Sequence, residues 1–321
     1  MRKSGLKGRA STDSRSELGT PRPLGSRRPL EEIRSALVAG LLVCLAVPAA
    51  ADAQDEVPDP QIERGREVFV AASCEGCHTL PKEGAFLAGG RAIGSPFGTF
   101  YSPNITPHPE EGLGNWSEED FARALREGRS PEGKAYYPAF PYTSYSGMRD
   151  EDVSALWAYL QSVEPVDTPD REHELRFPFG IRLLLEPWRW LFFAERRFVP
   201  DPSLNEQQAR GAYLVEVLGH CGECHTPRNR LGALDQERRL AGTPSGPDGR
   251  RVPNITPHAD GIGDWSEADI AYLLETGFKP DFDYVGGAMV EVVELSTSKM
   301  SAEDREAIAA YLKTLPPIAS D

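Results

Sequence analysis

Cysteine is scarce in this chain of 321 residues, which contains only five. Four of them form two close pairs, Cys74 with Cys77 and Cys221 with Cys224, while Cys44 lies in an apolar stretch near the start. No cysteines are left over for a disulfide framework, and the pairs lack the further Cys and His ligands of a zinc site. A thioredoxin-like dithiol is also disfavoured, because that motif has no His directly after its second Cys.

Positive charge is in short supply as well. The chain has 35 Lys and Arg against 49 Asp and Glu, which gives a formal net charge of −14. Nucleic-acid binding is dominated by neutralisation of phosphates, so we expect no nucleic-acid partner. An acidic protein is better suited to electrostatically steered encounters with basic patches on other proteins.

Long hydrophobic runs are missing, and the apolar run at residues 36–47 is short for a bilayer span. Nine Lys and Arg precede this run, and small residues ending in Ala51-Asp52-Ala53 follow it. This order is typical of a secretory signal peptide, which we predict over residues 1–53 with cleavage before Gln54. An uncleaved membrane anchor is the alternative. Cleavage would leave 26 basic and 44 acidic residues in the mature protein.

Two pentapeptides contain all four paired cysteines, Cys74-Glu75-Gly76-Cys77-His78 and Cys221-Gly222-Glu223-Cys224-His225. The C-x-x-C-H motif attaches a c-type haem, because its two thiols reach both vinyl groups of a porphyrin while the imidazole reaches the iron. Two copies predict two covalently bound haem c groups, with His78 and His225 as the proximal iron ligands. Haem of this type is attached outside the bacterial cytoplasm, so the motifs and the signal segment together predict a periplasmic protein.

Five short strings recur in the same order in the two halves of the chain, at an offset of about 150 residues. Sustained register of this kind indicates a tandem duplication of one haem domain. The matched strings are Arg64-Gly65 and Arg210-Gly211, Cys74–His78 and Cys221–His225, Asn104–His108 and Asn254–His258, Trp116–Glu118 and Trp265–Glu267, and Ala158–Leu160 and Ala310–Leu312.

Helical signals dominate both repeats, and strand signals are weak. A close crossing of the first and last helices would explain a glycine in each first helix, with Gly65 facing Tyr159 and Gly211 facing Tyr311. The predicted helix starts are Asp59 with Pro60, Ser203 with Glu206, Ser117 with Asp120, and Ser266 with Asp269. We therefore predict an all-α fold with haem domains at residues 57–163 and 203–317.

A connector at residues 164–202 joins the two predicted domains. It is rich in aromatic residues and proline, with Phe177-Pro178-Phe179 near its middle and Trp188 to Phe193 further on. A free linker would not be so aromatic. We expect the connector to pack across both domains, and the alternative is a patch that docks a partner or touches a membrane.

The distal ligand decides how each haem behaves, because a thioether opposite the His raises the potential and closes the iron to substrates. In the second repeat Met289 precedes the last helix at the expected place, while its rival Met300 stands beside the cap Ser301. In the first repeat the comparable place holds Phe140, and Met148 is the only Met. We therefore predict Met289 and Met148 as iron ligands, the latter from an unusual position. His108 and His258 are conceivable ligands too, although a surface or propionate-side role is favoured.

The ordered set of strings resembles the cytochrome c subunits of bacterial membrane-bound alcohol, gluconate and related dehydrogenases. The strings that support this resemblance are the two C-x-x-C-H motifs, both Asn-Ile-Thr-Pro copies, Tyr-Pro-Ala-Phe-Pro-Tyr at 137–142, Phe-Pro-Phe at 177–179 and the sequence 219–228. The resemblance implies two cytochrome c-like domains and many relatives with a third haem and a membrane-associating tail, for which this chain shows no counterpart.

Electron transfer is the function that the resemblance implies. The expected donor is the catalytic subunit of a dehydrogenase, and the expected acceptor is an oxidase, a quinone-linked complex or another cytochrome, with peripheral membrane association through a partner. The alternative is a dihaem enzyme, peroxidase-like or thiosulfate-oxidising, with an open or unusual first haem beside Phe140. No acid and base pair stands near that position in the sequence, which favours a carrier without catalytic residues.

Overall fold

A computed structural model of the protein describes residues 59–246 and 249–320, so the predicted signal segment, residues 1–53, lies outside the described residues. Short 3₁₀ segments occupy Arg182–Leu184, Gln236–Arg238 and Thr297–Lys299, and one π-helical turn occupies Leu214–Leu218. The helices and strands are α1 (Pro60–Ala71), α2 (Cys74–His78), β1 (Ala92–Ser95), β2 (Gly98–Tyr101), α3 (Glu118–Glu127), α4 (Tyr142–Tyr145), α5 (Asp150–Ser162), β3 (Glu174–Leu175), α6 (Leu185–Phe192), α7 (Glu206–Tyr213), α8 (Gly222–His225), α9 (Glu267–Thr276), α10 (Ala288–Leu295) and α11 (Ala302–Leu312).

The first and last helices of each half cross at a glycine, as the sequence predicts. A Cβ on Gly65 of α1 would lie 2.7 Å from the Cβ of Tyr159 on α5 and would collide with the carbonyl of Ala155. A Cβ on Gly211 of α7 would lie 2.8 Å from the Cβ of Tyr311 on α11. Only glycine lets these backbones approach so closely. The two crossings hold the helices that lead into each C-x-x-C-H motif.

Three of the four predicted helix starts are confirmed. Asp59 caps α1, with its carboxylate accepting from the Gln61 N–H at 2.8 Å and Pro60 at the first helical position. The middle helices α3 and α9 begin with capping boxes, in which the caps Ser117 and Ser266 exchange hydrogen bonds with the Asp three residues later. These local hydrogen bonds satisfy N–H groups that a helix start leaves unpaired.

The predicted cap of α7 is wrong by two residues. Asn205 is the cap, and its side chain exchanges hydrogen bonds with Gln208 in a second box of the same pattern. Ser203 is unavailable because Asp201 accepts hydrogen bonds from both its N–H, at 2.8 Å, and its hydroxyl, at 2.7 Å. An Asp turn in the connector therefore wins over the capping box that Ser203 and Glu206 suggested.

The expectation of an all-α fold is corrected by a small antiparallel sheet with strand order β1-β2-β3. Strand β1 pairs with β2 in register Ala92 to Tyr101, and β2 pairs with β3 through Gly98 and Leu175. The third strand comes from the connector, so the sheet forms between segments far apart in sequence. Strands of two to four residues show no alternation that a sequence pattern could reveal. The fold is helix-rich with this one small sheet in the described residues.

The main hydrophobic core contains buried side chains from both halves of the chain, among them Phe69, Met148, Tyr213 and Ile308. The segment between the halves contacts both of them. Its Arg182 donates to the Ala135 carbonyl at 3.1 Å, and the indole of its Trp188 donates to the Leu231 carbonyl at 2.8 Å. The domain boundaries given above stay predictions.

Candidate haem-attachment sites

The first C-x-x-C-H motif forms α2, a single short helix directly after α1. Ser73 turns the chain between the two helices with φ of 52°, in the left-handed region. Cys74 is partly buried and Cys77 is exposed, one helical turn apart. The Nδ1 atom of His78 lies 2.8 Å from the carbonyl oxygen of Pro103, so Nδ1 carries the proton and Nε2 keeps its lone pair. Burial lowers the pKa of His78, which keeps the imidazole neutral.

The second motif repeats this geometry. His220, with φ of 36°, turns the chain into Cys221, and α8 completes the motif. Cys221 is partly buried and Cys224 is exposed, as in the first motif. The Nδ1 atom of His225 lies 2.8 Å from the Pro253 carbonyl oxygen, and burial lowers the pKa of His225. Each motif thus presents two thiols, together with one imidazole nitrogen whose lone pair can bind a metal.

The repeated Asn-Ile-Thr-Pro strings hold the carbonyls that orient these imidazoles. The buried Asn104 side chain accepts from the Thr106 N–H at 2.9 Å and hydroxyl at 2.7 Å, and its amide donates to the Val166 carbonyl at 2.7 Å. Asn254 makes the same bonds to Thr256, at 2.7 and 2.8 Å. The residue before each Asn is the proline that binds the His. The repeated strings were visible in the sequence. The structure shows that their Asn and Thr side chains hold the segment whose proline carbonyl orients the imidazole.

The donor set fits a covalently attached haem. Burial is the main reason that the pKa of the Cys74 thiol is raised to about 12, and the same holds for the Cys221 thiol. Both sulfurs are therefore neutral thiols before they react. Within residues 59–246 and 249–320, no group of three or more His, Cys, Asp and Glu is placed to hold a metal ion by itself. Two thiols and a neutral imidazole with a free Nε2 are what thioether attachment and axial ligation require.

The three candidate methionines, and the Phe140 that stands at the comparable place in the first repeat, occupy different surroundings. Met148 is fully buried in the main core just before α5, whereas Met289 is half-buried at the second position of α10. Met300 is half-buried beside Ser301, which caps α11 as expected. Phe140 packs with its ring centroid 5.9 Å from that of Tyr145. The ligand roles of Met148 and Met289 stay predictions.

Unlike the two motif histidines, His108 and His258 face backbone N–H groups with Nδ1, and the Nδ1 atom of His258 also lies 3.2 Å from the Asp260 carboxylate. The Nδ1 atom of His108 accepts from the Glu111 N–H at 3.1 Å, and that of His258 accepts from the Asp260 N–H at 3.1 Å. A nitrogen that accepts from an N–H holds a lone pair, so in the neutral ring the proton resides on Nε2. Both side chains close local turns, which agrees with the surface role that the sequence favoured.

Each half packs beside the haem motif of the other half. Arg91 donates to the Gly76 carbonyl within α2, and also to Glu291 on α10, with both bonds at 2.5 Å. Lys299, just after α10, pairs with Glu75 at 3.2 Å. The segment that contains Met289 therefore borders the first motif.

The reciprocal contact is made by Glu223, which sequence reasoning missed as a site residue. This glutamate lies between Cys221 and Cys224, is buried, and accepts hydrogen bonds from Thr143 at 3.0 Å and Ser144 at 3.2 Å on α4. Arg228 also donates to the carboxylate. An acidic residue inside C-x-x-C-H gives no signal by itself, because the partners that bury it are about 80 residues away.

The sequence is similar to those of known proteins. A cytochrome c family model matches residues 62–164. A diheme cytochrome c-type protein of Cereibacter sphaeroides is 44% identical over 301 residues, covering 89% of this chain and 100% of the relative. The cytochrome subunit of fructose dehydrogenase from Gluconobacter japonicus is 45% identical over 260 residues, covering 80% of this chain and 53% of the relative.

The cytochrome c subunit of the quinone alcohol dehydrogenase from Gluconobacter oxydans is 39% identical over 279 residues, covering 84% of this chain and 57% of the relative. The chain thus spans little more than half the length of these two dehydrogenase subunits. Its match to the Cereibacter sphaeroides protein covers that relative completely.

The chain therefore belongs to the dihaem c-type cytochromes, and it binds two haem c groups covalently. It is an electron-transfer protein, as the sequence predicted, and these relatives do not favour the enzyme alternative. Within the described ranges, no helix is long and apolar enough to cross a membrane.

Proposed function

We propose that this cytochrome carries electrons in the periplasm from the catalytic subunit of a dehydrogenase to the respiratory chain. The observation that carries the proposal is the matched pair of motif histidines, each with Nδ1 bound to a proline carbonyl at 2.8 Å and Nε2 left free. When bound at these two sites, haem c supplies a one-electron ferric/ferrous couple. Two such sites in one chain suit a donor that releases electrons in pairs.

The geometry of the two motifs supports the residues that we propose for each site. Cys74 and Cys77 hold the first haem with His78 as proximal ligand, and the matching set for the second haem is Cys221, Cys224 and His225. Residues 57–163 and 203–317 are proposed to be duplicated haem domains, and 164–202 the connector. The matched crossings at Gly65 and Gly211 support the duplication.

The two sites are proposed to exchange electrons directly. The ring of Tyr145 in the first half stands 5.5 Å from the ring of His220 in the second, and its hydroxyl donates to the Ala72 carbonyl at 3.0 Å. These contacts bring the residues just before both haem motifs together. A rigid, buried contact of this kind keeps the separation of the two haems fixed, which steady transfer requires.

Attachment is tested by acid extraction and pyridine haemochrome spectra of the periplasmic protein. We expect two haems per chain that stay attached, and a Cys77→Ser variant should weaken one attachment only. Haem that is fully extractable would refute both sites. Carrier function is tested in the same sample, because two six-coordinate low-spin haems should bind neither cyanide nor peroxide. A high-spin haem that binds either one would support the enzyme alternative.

The distal ligands are tested with Met148→Ala and Met289→Ala. If both thioethers bind iron, the wild type shows two near-infrared bands of His/Met ligation and each variant loses one. Met300→Ala is the matched control, because Met300 is half-buried beside a helix cap. An unchanged spectrum in the Met148 variant would leave the first haem without that ligand.

Partner binding is tested by the salt dependence of reduction. The acidic charge of the chain predicts a rate of reduction by a basic donor that falls as ionic strength rises. A rate that does not change with salt, with co-purification of one dehydrogenase at high salt, would indicate a packed complex in place of a transient encounter.

A further inference from the structure

The segment between the two halves presents an apolar surface to solvent. We define the connector face as six side chains, Phe177, Ile181, Leu183, Leu184, Trp190 and Leu191. Phe177 is 88% exposed, Trp190 83% and Leu183 78%. Single exposed apolar side chains are ordinary, but six within fifteen residues of an acidic chain mark an interaction surface.

Helix α6, at the centre of this face, buries a charged side chain and exposes apolar ones. Its buried positions are Leu185 and Arg189, while Trp190 and Leu191 face outward. The Arg189 guanidinium stacks over Tyr142 at 5.1 Å and over Phe193 at 5.0 Å. Burying an arginine while exposing a tryptophan is unfavourable in water, so the outward face suits an environment that is less polar than water.

The orientation of the helix is fixed by polar contacts on both sides. Glu186 accepts two hydrogen bonds from Arg129, both at 2.9 Å, and the Trp188 indole donates to the Leu231 carbonyl at 2.8 Å. These bonds tie α6 to both halves of the chain. The exposed apolar side chains therefore stand on a rigid support and do not belong to a loose loop.

The charged residues near the connector face indicate which kind of partner it suits. Residues 176–197 contain five Arg and two Glu, although the whole chain has a net charge of −14. Of these arginines, Arg189 is buried and Arg197 pairs with Asp150 at 2.9 Å, which leaves Arg176, Arg182 and Arg196 exposed in the same segment as the apolar side chains. Projecting Trp, Phe and Leu side chains with adjacent Arg match the interface of an anionic bilayer.

We propose that the connector face inserts into the headgroup region of a membrane that contains anionic phospholipid. The apolar side chains enter the acyl boundary, and the flanking arginines meet phosphate groups. This contact would hold the cytochrome at the membrane surface. The proposal does not depend on which donor the cytochrome serves, and it adds direct lipid contact to the function proposed above.

The test is flotation of the haem-loaded periplasmic protein with vesicles of phosphatidylethanolamine and phosphatidylglycerol. We expect the wild type to float, and the double variant Leu183→Ser/Trp190→Ser to partition about tenfold more weakly or worse, given the usual value of burying such side chains. Vesicles of phosphatidylcholine alone should bind less, and added salt should weaken binding to the anionic vesicles.

The matched control is Phe282→Ser. Phe282 is 90% exposed on a loop of the second half, outside the connector, so its loss should leave flotation unchanged. All variants keep the same amino terminus, so residues 1–53 cannot cause a difference between them. Haem content and ascorbate reduction, measured on each variant, report attachment and redox function separately from lipid binding.

Four results would overturn the proposal. The first is a wild type that stays with the soluble fraction, and the second is a double variant that floats as well as the wild type. The third is a dimer in sedimentation velocity without lipid that the double variant converts to a monomer, because a second copy would then cover the face. Retention of the wild type by a purified dehydrogenase through this face, without flotation, would count against lipid in the same way.

Discussion

Replacing Gly211 by alanine tests the close crossing of α7 and α11, which holds the helix that leads into the second haem motif. A Cβ at this position would collide with the backbone carbonyl of Ala307 and lie 2.8 Å from the Cβ of Tyr311. Neither atom is the end of a flexible side chain. The helices must therefore move apart by about 1 Å to restore ordinary carbon contacts.

The expected cost follows from two opposing effects. Overpacking a tight interior contact costs about 1–3 kcal/mol, and this contact is at the upper end because the obstacle is backbone. Alanine is favoured over glycine inside a helix by about 1 kcal/mol, which offsets part of the cost. We expect the free energy of unfolding to fall by about 2 kcal/mol in the Gly211→Ala variant.

The assay is denaturant unfolding of the haem-loaded protein, followed by circular dichroism. Gly286→Ala is the control, because no atom lies within 4 Å of the Cβ position of Gly286 and its backbone needs no left-handed angle. That control should change stability by less than about 0.5 kcal/mol. A Gly211→Ala variant that is as stable as the control, or more stable, would refute the crossing.

Three further predictions concern side-chain hydrogen bonds. Ser117→Ala removes the acceptor for the Asp120 N–H, which lies 3.1 Å from the hydroxyl, and should lower the free energy of unfolding by about 1 kcal/mol in denaturant titrations. The Ser117 hydroxyl and N–H hold the pKa of the Asp120 carboxyl below its usual value. The stability that the charged carboxylate adds is therefore complete above about pH 4 and is lost as the pH falls through the lowered pKa, and Asp120→Asn should reduce this slope in denaturant titrations. Glu223→Gln weakens charge-assisted hydrogen bonds from the other half and should lower the free energy of unfolding by about 2 kcal/mol. The control Glu75→Gln loses a single partly exposed ion pair and should lower it by less than about 1 kcal/mol. Equal losses in the two variants would contradict the bridging role of Glu223.

The helix starts show where local sequence is sufficient and where it is not. Ser117 was predicted correctly because the capping box needs only two residues that are three positions apart. Ser203 offered the same pattern, but Asp201 takes its hydroxyl, and Asn205 caps the helix. When two capping boxes overlap and are equally good, neighbouring residues decide which one forms. A search for the capping pattern does not consider those neighbours.

The sheet shows the effect of distance in sequence. Strand β2 is four residues long and pairs with β3, whose Leu175 is opposite Gly98. Neither strand is stable alone, and neither has a length that produces an alternating pattern. The pairing depends on the connector returning to the first half, which only the tertiary structure decides.

The sequence alone determined the chemistry of this protein. Two thiols and an imidazole within five residues meet the geometric demands of one haem without help from the rest of the chain, so the C-x-x-C-H motifs were sufficient to predict two covalent haem groups. Tertiary structure decided what surrounds these groups. It placed Glu291 of the second half beside the first motif, Thr143 of the first half against Glu223, and Trp190 in solvent. Those placements depend on packing between segments far apart in the chain, and residues at such separations leave no local pattern.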